Sequence, residues 1–221
     1  MEQAPDGEPT LAAMRQRYAD HQLSEADLAD DPLVQFRRWL ADATAAGIAE
    51  PNAMVLATAT PAGLPSARTV LLKGLDERGL AFYTNLESAK AADLTTNPRA
   101  ALVFPWHAMQ RQVRISGTVS RVSRDESARY FASRPRDSQL GAWASRQSSV
   151  VPDRDALDRE YANLEARWPE GNEIPLPDFW GGYRVTPEAY EYWQGRRGRL
   201  HDRVLYQRST AGGWVLERLA P

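Results

Sequence analysis

Residues 53–85 read AMVLATATPAGLPSARTVLLKGLDERGLAFYTN, and this stretch decides the fold class of the chain. Short runs rich in valine, threonine and aromatic residues alternate with turn residues, which is typical of β-strands. The turns PAG (61–63) and DERG (76–79) predict hairpins between these strands. The strand pattern continues with AALVFP (100–105) and QVRISGTVSRV (112–122).

Helical patterns separate these strands from a second group of strands. A helix is predicted from Asp31 to Gly47, because Asp31 suits the N-cap position, Pro32 suits the first turn and apolar residues recur every three or four positions. Further helices are predicted over 88–97, from the capping box SRDE (123–126) through Arg134, and over 153–168. The last third returns to strands at FWGGYRVT (179–186), AYEYWQ (189–194), HDRVLYQR (201–208) and GWVLERL (213–219).

Many short strands with few helices predict a mainly β fold, a barrel with helices on its outside. The length of 221 residues allows one large or two small domains. The pattern predicts a single domain over residues 29–221. Residues 1–28 are polar, and they are predicted to form a mobile N-terminal arm or lid.

Composition excludes several classes of function. The net charge of −2 disfavours bulk binding of DNA or RNA, although 25 of the 27 basic residues are arginine. The lack of cysteine excludes disulfides, thiolate catalysis and iron–sulfur clusters, and it fits a reducing cytoplasm. No apolar run is long enough to span a membrane. Three histidines far apart in sequence give little support to a metal site, so none is predicted.

The segment EYWQGRRGRLHDR (191–203) concentrates charged side chains that a core strand would not choose, since an unpaired buried charge costs several kcal/mol. In a strand, Arg199, His201 and Arg203 would point to one face. Such a row suits a planar or phosphorylated anion, with Trp193 nearby to pack against a ring. The alternative is a solvated, arginine-rich edge strand.

Two further groups of residues suggest sites for phosphate. Lys90 falls in the first turn of a predicted helix, where lysine is unfavourable unless an anion also binds there. Tyr130 and Arg134 are four residues apart on the capped helix, and Ser138 follows, so the three could hold a phosphate dianion. A solvated surface lysine and a helix-end hydrogen-bond network are the alternatives.

The chain resembles the pyridoxamine 5′-phosphate oxidase family in motifs that run in order from about Met14 to Pro221. The matching motifs are RTVLLK (68–73), FYTN (82–85), the S-x-K of ESAK (87–90), FPW (104–106), RQV (111–113), YFASRPRDSQLGAWAS-x-QSS (130–149), FWGG (179–182), WQG (193–195), RLHDR (199–203), YQR (206–208) and RLAP (218–221). The resemblance implies an FMN-binding split barrel that works as a homodimer with FMN at the subunit interface. It also implies oxidation of pyridoxamine or pyridoxine 5′-phosphate to pyridoxal 5′-phosphate, with O2 reoxidising the flavin and H2O2 released.

The resemblance also implies roles for particular residues. FMN would be held by Arg68, Thr69, Val70, Leu71, Leu72, Lys73, Tyr83, Thr84, Lys90, Gln112, Gln147, Ser148, Trp193 and Arg203. The substrate phosphate would be held by Lys73, Tyr130, Arg134 and Ser138, with the catalytic residues Arg199 and His201 over the substrate ring and Arg15 and Tyr18 as a lid. His201 could either bond the ring oxygen or accept a proton.

Ala89 departs from the family pattern, because many members carry a basic residue beside the lysine of ESAK. This predicts weaker FMN binding or compensation elsewhere. The alternatives to the oxidase are another flavin split-barrel enzyme such as a flavin reductase, and a carrier of FMN or pyridoxal phosphate that catalyses nothing. A flavin reductase need not bind a second phosphate, so the group of Tyr130, Arg134 and Ser138 argues against that class.

Overall fold

Nine strands form one antiparallel sheet in the computed structural model of this chain, which describes residues 11, 14, 18, 19 and 21–221. The neighbours follow the order β2-β1-β5-β6-β7-β4-β3, and β8 and then β9 extend the sheet from β7. The mainly β class predicted from the strand pattern is therefore confirmed. The strands are β1 (Ala53–Ala59), β2 (Pro65–Leu71), β3 (Gly74–Asp76), β4 (Gly79–Asn85), β5 (Arg99–Trp106), β6 (Arg111–Arg121), β7 (Trp180–Gln194), β8 (Asp202–Arg208) and β9 (Trp214–Leu219).

Five α-helices flank the sheet in the described part of the chain. Helix α1 begins as predicted, because the Asp31 carboxylate accepts a hydrogen bond of 2.7 Å from the N–H of Leu33. The described residues contain no helix that is both long enough and apolar enough to cross a membrane. The helices are α1 (Pro32–Ala45), α2 (Ala89–Thr96), α3 (Arg124–Ala132), α4 (Arg136–Ala144) and α5 (Arg154–Arg167).

Helix α4 is not predicted by the sequence pattern. Its N-terminal residue Arg136 follows the helix-stopping Pro135, and Gly141 lies in its middle. Leu140 is its buried residue, so the helix lacks a regular apolar stripe. Packing against α5 stabilises it instead, since Leu140 and Leu164 belong to one buried cluster.

The sheet curls because its two sides meet where β2 passes into β3. The N–H of Leu72 donates to the carbonyl of Asn52 beside β1 at 2.9 Å. The next N–H, that of Lys73, donates to the carbonyl of Ala81 in β4 at 2.8 Å. The predicted single strand over 65–73 therefore ends at Leu71. The break after it gives a curled, half-barrel sheet with helices on its outside.

Strand β7 is continuous, whereas the sequence pattern predicts two strands over 179–186 and 189–194. Its first part pairs with β4, its last part pairs with β8, and β6 runs along most of its length. The register between β6 and β7 shifts between Ser116 and Gly117, where Gly117 faces Pro187. Proline lacks the N–H that a regular ladder needs, and this bulge accommodates it. The prediction of two strands was wrong for that reason.

Aromatic side chains fasten α1 to the sheet. The rings of Phe36 and Phe104 lie 4.8 Å apart, and those of Trp39 and Tyr192 lie 5.1 Å apart in an edge-on arrangement. The Tyr192 hydroxyl donates to the carbonyl of Pro32 at 2.7 Å, so a buried polar atom fixes the start of the helix.

A second cluster places α3, α4 and α5 against the start of β7. It contains Phe131, Leu140, Leu164, Ile174 and Trp180, all buried. This cluster holds Trp180 beside the helices that carry Tyr130 and Ser138.

An ion network around the buried Arg184 connects α3 to the hairpin of β3 and β4. The Arg184 guanidinium lies 2.8 Å from Asp76 Oδ1 and 2.5 Å from Glu126 Oε1. Glu126 is the glutamate of the predicted capping box, and the Ser123 hydroxyl caps its N–H at 3.1 Å. Loss of either carboxylate would leave the buried Arg184 with less compensation for its charge, so this network helps to hold α3 on the sheet.

Replacing Gly117 by alanine is expected to lower the free energy of unfolding by about 1–3 kcal/mol. A Cβ atom at this position would lie 2.0 Å from the carbonyl oxygen of Thr186, so the bulge must shift. Urea denaturation measures the change. Gly141→Ala is the control, because nothing lies within 4 Å of a Cβ there and alanine favours the helix. Equal stability of Gly117→Ala and the wild type would contradict the prediction.

Candidate cofactor and substrate site

A cleft of about 660 Å³ lies between β2, β4 and the helices α2, α3 and α4. It brings together most of the residues that the sequence assigns to FMN and to the substrate phosphate. Leu72 is an exception, since its side chain is buried in the core. The predicted residues that line the cleft are Arg68, Thr69, Val70, Leu71, Lys73, Tyr83, Thr84, Lys90, Tyr130, Arg134, Ser138 and Gln147.

The cleft is strongly cationic. Arg68, Lys73, Lys90 and Arg134 line it, and none of its described lining residues is acidic. Like charges around one cavity repel each other in the absence of an anion. The charge of four cations would balance two phosphate monoesters, each of which carries about −1.5 to −2 at pH 7. The Arg68 and Lys73 side chains line the same cleft because the chain is irregular after Leu71.

Lys90 is buried at the start of α2 and meets neutral acceptors. Its Nζ donates to Gln147 Oε1 at 2.6 Å, to Thr84 Oγ1 at 3.1 Å and to Ser88 Oγ at 3.3 Å. Burial, and then repulsion from the nearby Arg68, lower the pKa of Lys90 to about 8. The predicted helix start at this lysine is confirmed. The lysine is buried and is not a solvated surface residue.

Stacked aromatic rings form one wall of the cleft. The Tyr83 ring lies 4.0 Å from that of Tyr130 and 5.6 Å from that of Trp180, with both pairs nearly parallel. The Arg134 guanidinium lies 4.9 Å from the centre of the Trp180 ring, and its Nη1 atom is buried with no hydrogen-bond partner among the described residues. Burial lowers the pKa of Arg134 and raises that of Tyr130.

Trp180 and Asn85 line the cleft without having been assigned to it from the sequence. Asn85 is buried, its Oδ1 accepts from the N–H of Glu87 at 2.7 Å, and its Nδ2 has no partner in the described part of the chain. Asn85 and Trp180 belong to the motifs FYTN and FWGG, so the resemblance to the family could have pointed to both residues. Apolar and amide side chains of this kind are usually assigned to the core or to turns.

A second group of predicted residues lies elsewhere in the protomer. Tyr18, Gln112 and Trp193 line a separate cavity of about 410 Å³. The His201 ring lies 5.6 Å from the Tyr18 ring and 4.7 Å from the Trp193 ring. Arg15 lies outside the described residues, so its predicted role as a lid stays a prediction.

His201 is held by the backbone. Its Nδ1 accepts a hydrogen bond of 3.0 Å from the N–H of Arg196. Burial, and then repulsion from Arg199, lower the pKa of His201. The neutral ring is therefore favoured at neutral pH, and its proton lies on Nε2 because Nδ1 is an acceptor.

The predicted row of Arg199, His201 and Arg203 on one strand face is wrong. Residues 197–199 form a short 3-10 turn, and β8 begins only at Asp202. Gly198 and Arg199 have φ angles of 66° and 62°, which a strand does not allow. Arg199 is therefore exposed on a turn beside His201.

Arg203 lies on β8 and is engaged by an acidic residue. Its Nε and Nη2 atoms donate to the two carboxylate oxygens of Glu191 at 2.9 and 3.2 Å, and Nη1 donates to the carbonyl of Ala220 at 2.8 Å. Glu191 also accepts a hydrogen bond from Arg114 at 2.8 Å.

Ser148, another residue predicted to hold FMN, lies beside the start of α2. Its hydroxyl accepts a hydrogen bond of 3.2 Å from the N–H of Ala89, and its neighbour in sequence is Gln147.

The two groups lie at opposite ends of β7. Trp180 begins this strand beside the cationic cleft, whereas Trp193 pairs with Gln112 and Arg203 near its other end. A strand rises about 3.3 Å per residue, so the two tryptophans are on the order of 40 Å apart along it. Within a single protomer the two groups therefore line separate cavities.

These features define a split-barrel protein with a cationic cleft, and comparison with known proteins gives its family. Residues 40–167 match the family described as pyridoxamine 5′-phosphate oxidase, and residues 180–221 match the pyridoxine 5′-phosphate oxidase C-terminal dimerisation region. The chain belongs to the pyridoxamine 5′-phosphate oxidase family.

Relatives cover nearly the whole chain. A pyridoxine/pyridoxamine 5′-phosphate oxidase of Rubrobacter xylanophilus is 56% identical over 96% of both chains. One of Salinibacter ruber is 56% identical over 96% of this chain and 99% of its own.

Two solved structures are similar to this one. PhzG from Burkholderia lata, in complex with tetrahydrophenazine-1-carboxylic acid, has a TM-score of 0.85 at 32% identity and covers 91% of this chain and 99% of its own. An FMN binding protein from Nostoc punctiforme, related to pyridoxamine 5′-phosphate oxidase, has a TM-score of 0.66 at 20% identity, with 84% and 97% covered. The second likeness supports the split-barrel fold alone.

Replacing Lys90 by methionine is expected to raise the free energy of unfolding of the FMN-free protein by about 1–3 kcal/mol at pH 7. The pKa of Lys90 in the folded protein, about 8, lies below the ordinary value of 10.5. Below pH 8 the buried lysine is therefore charged, and the fold bears the whole free-energy cost of that charge. Between pH 8 and 10.5 the unfolded chain binds more protons, so wild-type stability rises and the advantage of the variant should shrink.

Urea denaturation at about pH 7 and pH 9.5 measures both effects. Lys73→Met is the matched control, because Lys73 is exposed and its removal should change stability by less than about 0.5 kcal/mol. A Lys90→Met variant that is less stable than the wild type at pH 7 would show that the hydrogen bonds of the ammonium outweigh its desolvation.

Proposed function

We propose that this protein is an FMN-dependent oxidase that converts pyridoxamine 5′-phosphate and pyridoxine 5′-phosphate to pyridoxal 5′-phosphate. One observation carries the proposal: a single cleft holds four cations and no acidic residue among its described lining. That charge suits two phosphorylated ligands held side by side. Relatives 56% identical to this chain are named pyridoxine/pyridoxamine 5′-phosphate oxidases.

The residues of the cleft fit FMN. Arg68 and Lys90 would hold its phosphate. Burial, and then repulsion from Arg68, lower the pKa of Lys90, and attraction of both cations to a bound dianion would offset these two effects. Thr84, Gln147 and Ser148 surround Lys90 and Ala89 and would complete the polar contacts. The consequence of Ala89 for FMN affinity stays a prediction.

The substrate phosphate would be held by Lys73, Tyr130, Arg134 and Ser138. The unpartnered Nη1 of Arg134 supports this role, because a buried guanidinium atom without an acceptor costs free energy that an anion nearby would offset. Tyr130 keeps its phenolic proton, since burial raises its pKa, and can donate to a phosphate oxygen.

Bound FMN would supply the acceptor for a hydride from the C4′ carbon of the substrate and would pass both electrons to O2, giving H2O2. The alcohol substrate then yields pyridoxal 5′-phosphate directly, and the amine substrate consumes one water and releases NH3.

Arg199 and His201 would act on the ring of the substrate. The guanidinium of Arg199 is exposed beside His201 and free to orient an anionic ring. His201 presents an N–H at Nε2 because its Nδ1 already accepts from Arg196. That arrangement favours a hydrogen bond from His201 to the ring oxygen over proton acceptance by this residue.

The working unit would be a homodimer with FMN at the subunit interface. The cationic cleft and the group around Trp193 form separate cavities within a protomer, so a second copy would supply one of them to a shared FMN site. Residues 180–221, which match a dimerisation region, contain Trp193, Arg199, His201 and Arg203. Tyr18 packs edge-on against Trp193 at 6.1 Å, which supports its role as a cover over this group.

The decisive experiment is anaerobic titration of the FMN-loaded protein with pyridoxine 5′-phosphate. The flavin absorbance should bleach and should recover on aeration, with about one H2O2 released per turnover. Pyridoxine without phosphate is the matched control and should bleach the flavin much more slowly, because it cannot use the Arg134 group. Protein that binds FMN but bleaches only with a nicotinamide donor would favour a flavin reductase. Protein that never bleaches would favour a carrier.

Replacing Arg199 by alanine is expected to lower kcat/KM by about a hundredfold or more while FMN affinity stays within about twofold of the wild type. Arg199 lies on the exposed turn, away from the four cations of the cleft within the protomer. Arg197→Ala, on the same turn, is the control and should behave as the wild type. Loss of FMN binding with unchanged kcat/KM in the loaded enzyme would assign Arg199 to the cofactor.

A further inference from the structure

Arg68 is the one guanidinium of the cleft that reaches across to the neighbouring strand, and all its acceptors are neutral. Its Nη1 donates to Thr58 Oγ1 at 2.7 Å and, more weakly, to the Leu56 carbonyl at 3.4 Å, while Nη2 donates to Ser66 Oγ at 2.5 Å. No described carboxylate lies within ion-pair distance of it. The charge of Arg68 is therefore oriented without being neutralised.

Thr58 occupies a core-facing position. In β1, Met54, Leu56 and Thr58 alternate as the buried residues, and Thr58 is only 3% exposed. Valine has nearly the same shape and would suit such a position without needing hydrogen-bond partners. A buried threonine hydroxyl needs hydrogen-bond partners, and here it both donates one hydrogen bond and accepts another.

The Thr58 hydroxyl has a defined direction. It donates to Asp93 Oδ2 at 2.6 Å, since a carboxylate can only accept, and its oxygen lone pairs then accept from Arg68. Asp93 belongs to α2, the helix that begins with Ala89 and Lys90. The relay from Asp93 through Thr58 to Arg68 thus links the strand that carries one cation to the helix that carries another.

We propose that Thr58 and Asp93 are positioning residues that hold Arg68 at the right distance from Lys90 to bind the phosphate of FMN. This inference rests on the proposed function and adds two residues to it. The hydroxyl acts as a spacer. A carboxylate in direct contact with Arg68 would orient it equally well but would cancel the charge that the phosphate needs.

A purely structural role makes a different prediction. If Thr58 and Asp93 only tied β1 to α2, their loss would weaken binding of any flavin to the same degree, because the whole cleft would loosen. If they position Arg68, their loss should affect the phosphate alone. Riboflavin, which has the same ring system without phosphate, separates the two.

The test is a titration of FMN, and separately of riboflavin, into the full-length protein, with binding measured by the quenching of flavin fluorescence. Thr58→Val is expected to weaken FMN binding by about tenfold and to leave riboflavin binding within about twofold. Thr58→Ser restores the hydroxyl and should restore FMN binding. Thr118→Val, a half-buried strand threonine outside the cleft, is the matched control and should match the wild type.

Asp93→Ala provides a second route should the valine variant fold poorly, and the same selective loss of FMN affinity is expected. Equal FMN affinity of Thr58→Val and the wild type, or parallel loss of FMN and riboflavin, would overturn the positioning role while leaving the oxidase proposal intact. A wild-type protein that does not bind FMN would overturn both.

Discussion

The pairing of β7 with three neighbours is the constraint on which the rest of the structure depends. Its first part pairs with β4, its last part pairs with β8, and β6 runs beside most of its length. Trp180 at one end belongs to the cationic cleft, and Trp193 at the other belongs to the group around His201. Because one strand carries both, their separation within the protomer is set by strand geometry, and the proposed FMN site would draw on two copies of the chain.

The cationic cleft places a second demand on the fold. Lys90 is buried among neutral acceptors, and the described lining of the cleft offers no carboxylate, so repulsion between the cations is part of the folded state. Stability therefore comes from other parts of the fold, such as the aromatic packing under α1 and the ion network of the buried Arg184 with Asp76 and Glu126. An anionic ligand relieves the repulsion, and its binding free energy then adds to stability.

Two arginines of this protein, Arg203 and Arg68, differ in whether a carboxylate contacts them directly. Arg203 is paired directly with Glu191, whereas Arg68 is linked to the carboxylate of Asp93 only through the hydroxyl of Thr58. The two arginines are chemically identical and differ in how much charge they leave for a ligand. This difference cannot be read from the sequence, where both are arginines at the ends of strand motifs.

The sequence by itself determined the local elements and the family. Turns at 61–63 and 76–79, the Asp31 cap, the SRDE cap and the helix start at Lys90 depend on neighbouring residues, so they were predicted correctly. Most residues assigned to FMN and to the substrate phosphate line one cleft, and their roles stay predictions. Three features were decided only by the tertiary structure, because long-range contacts override the local pattern. A bulge against β6 lets β7 continue through Pro187, and packing on α5 stabilises α4. Two residues in the left-handed region form the turn at Arg199. The tertiary structure alone also separated the predicted site residues into two groups, since that separation follows from strand pairing between residues far apart in the chain.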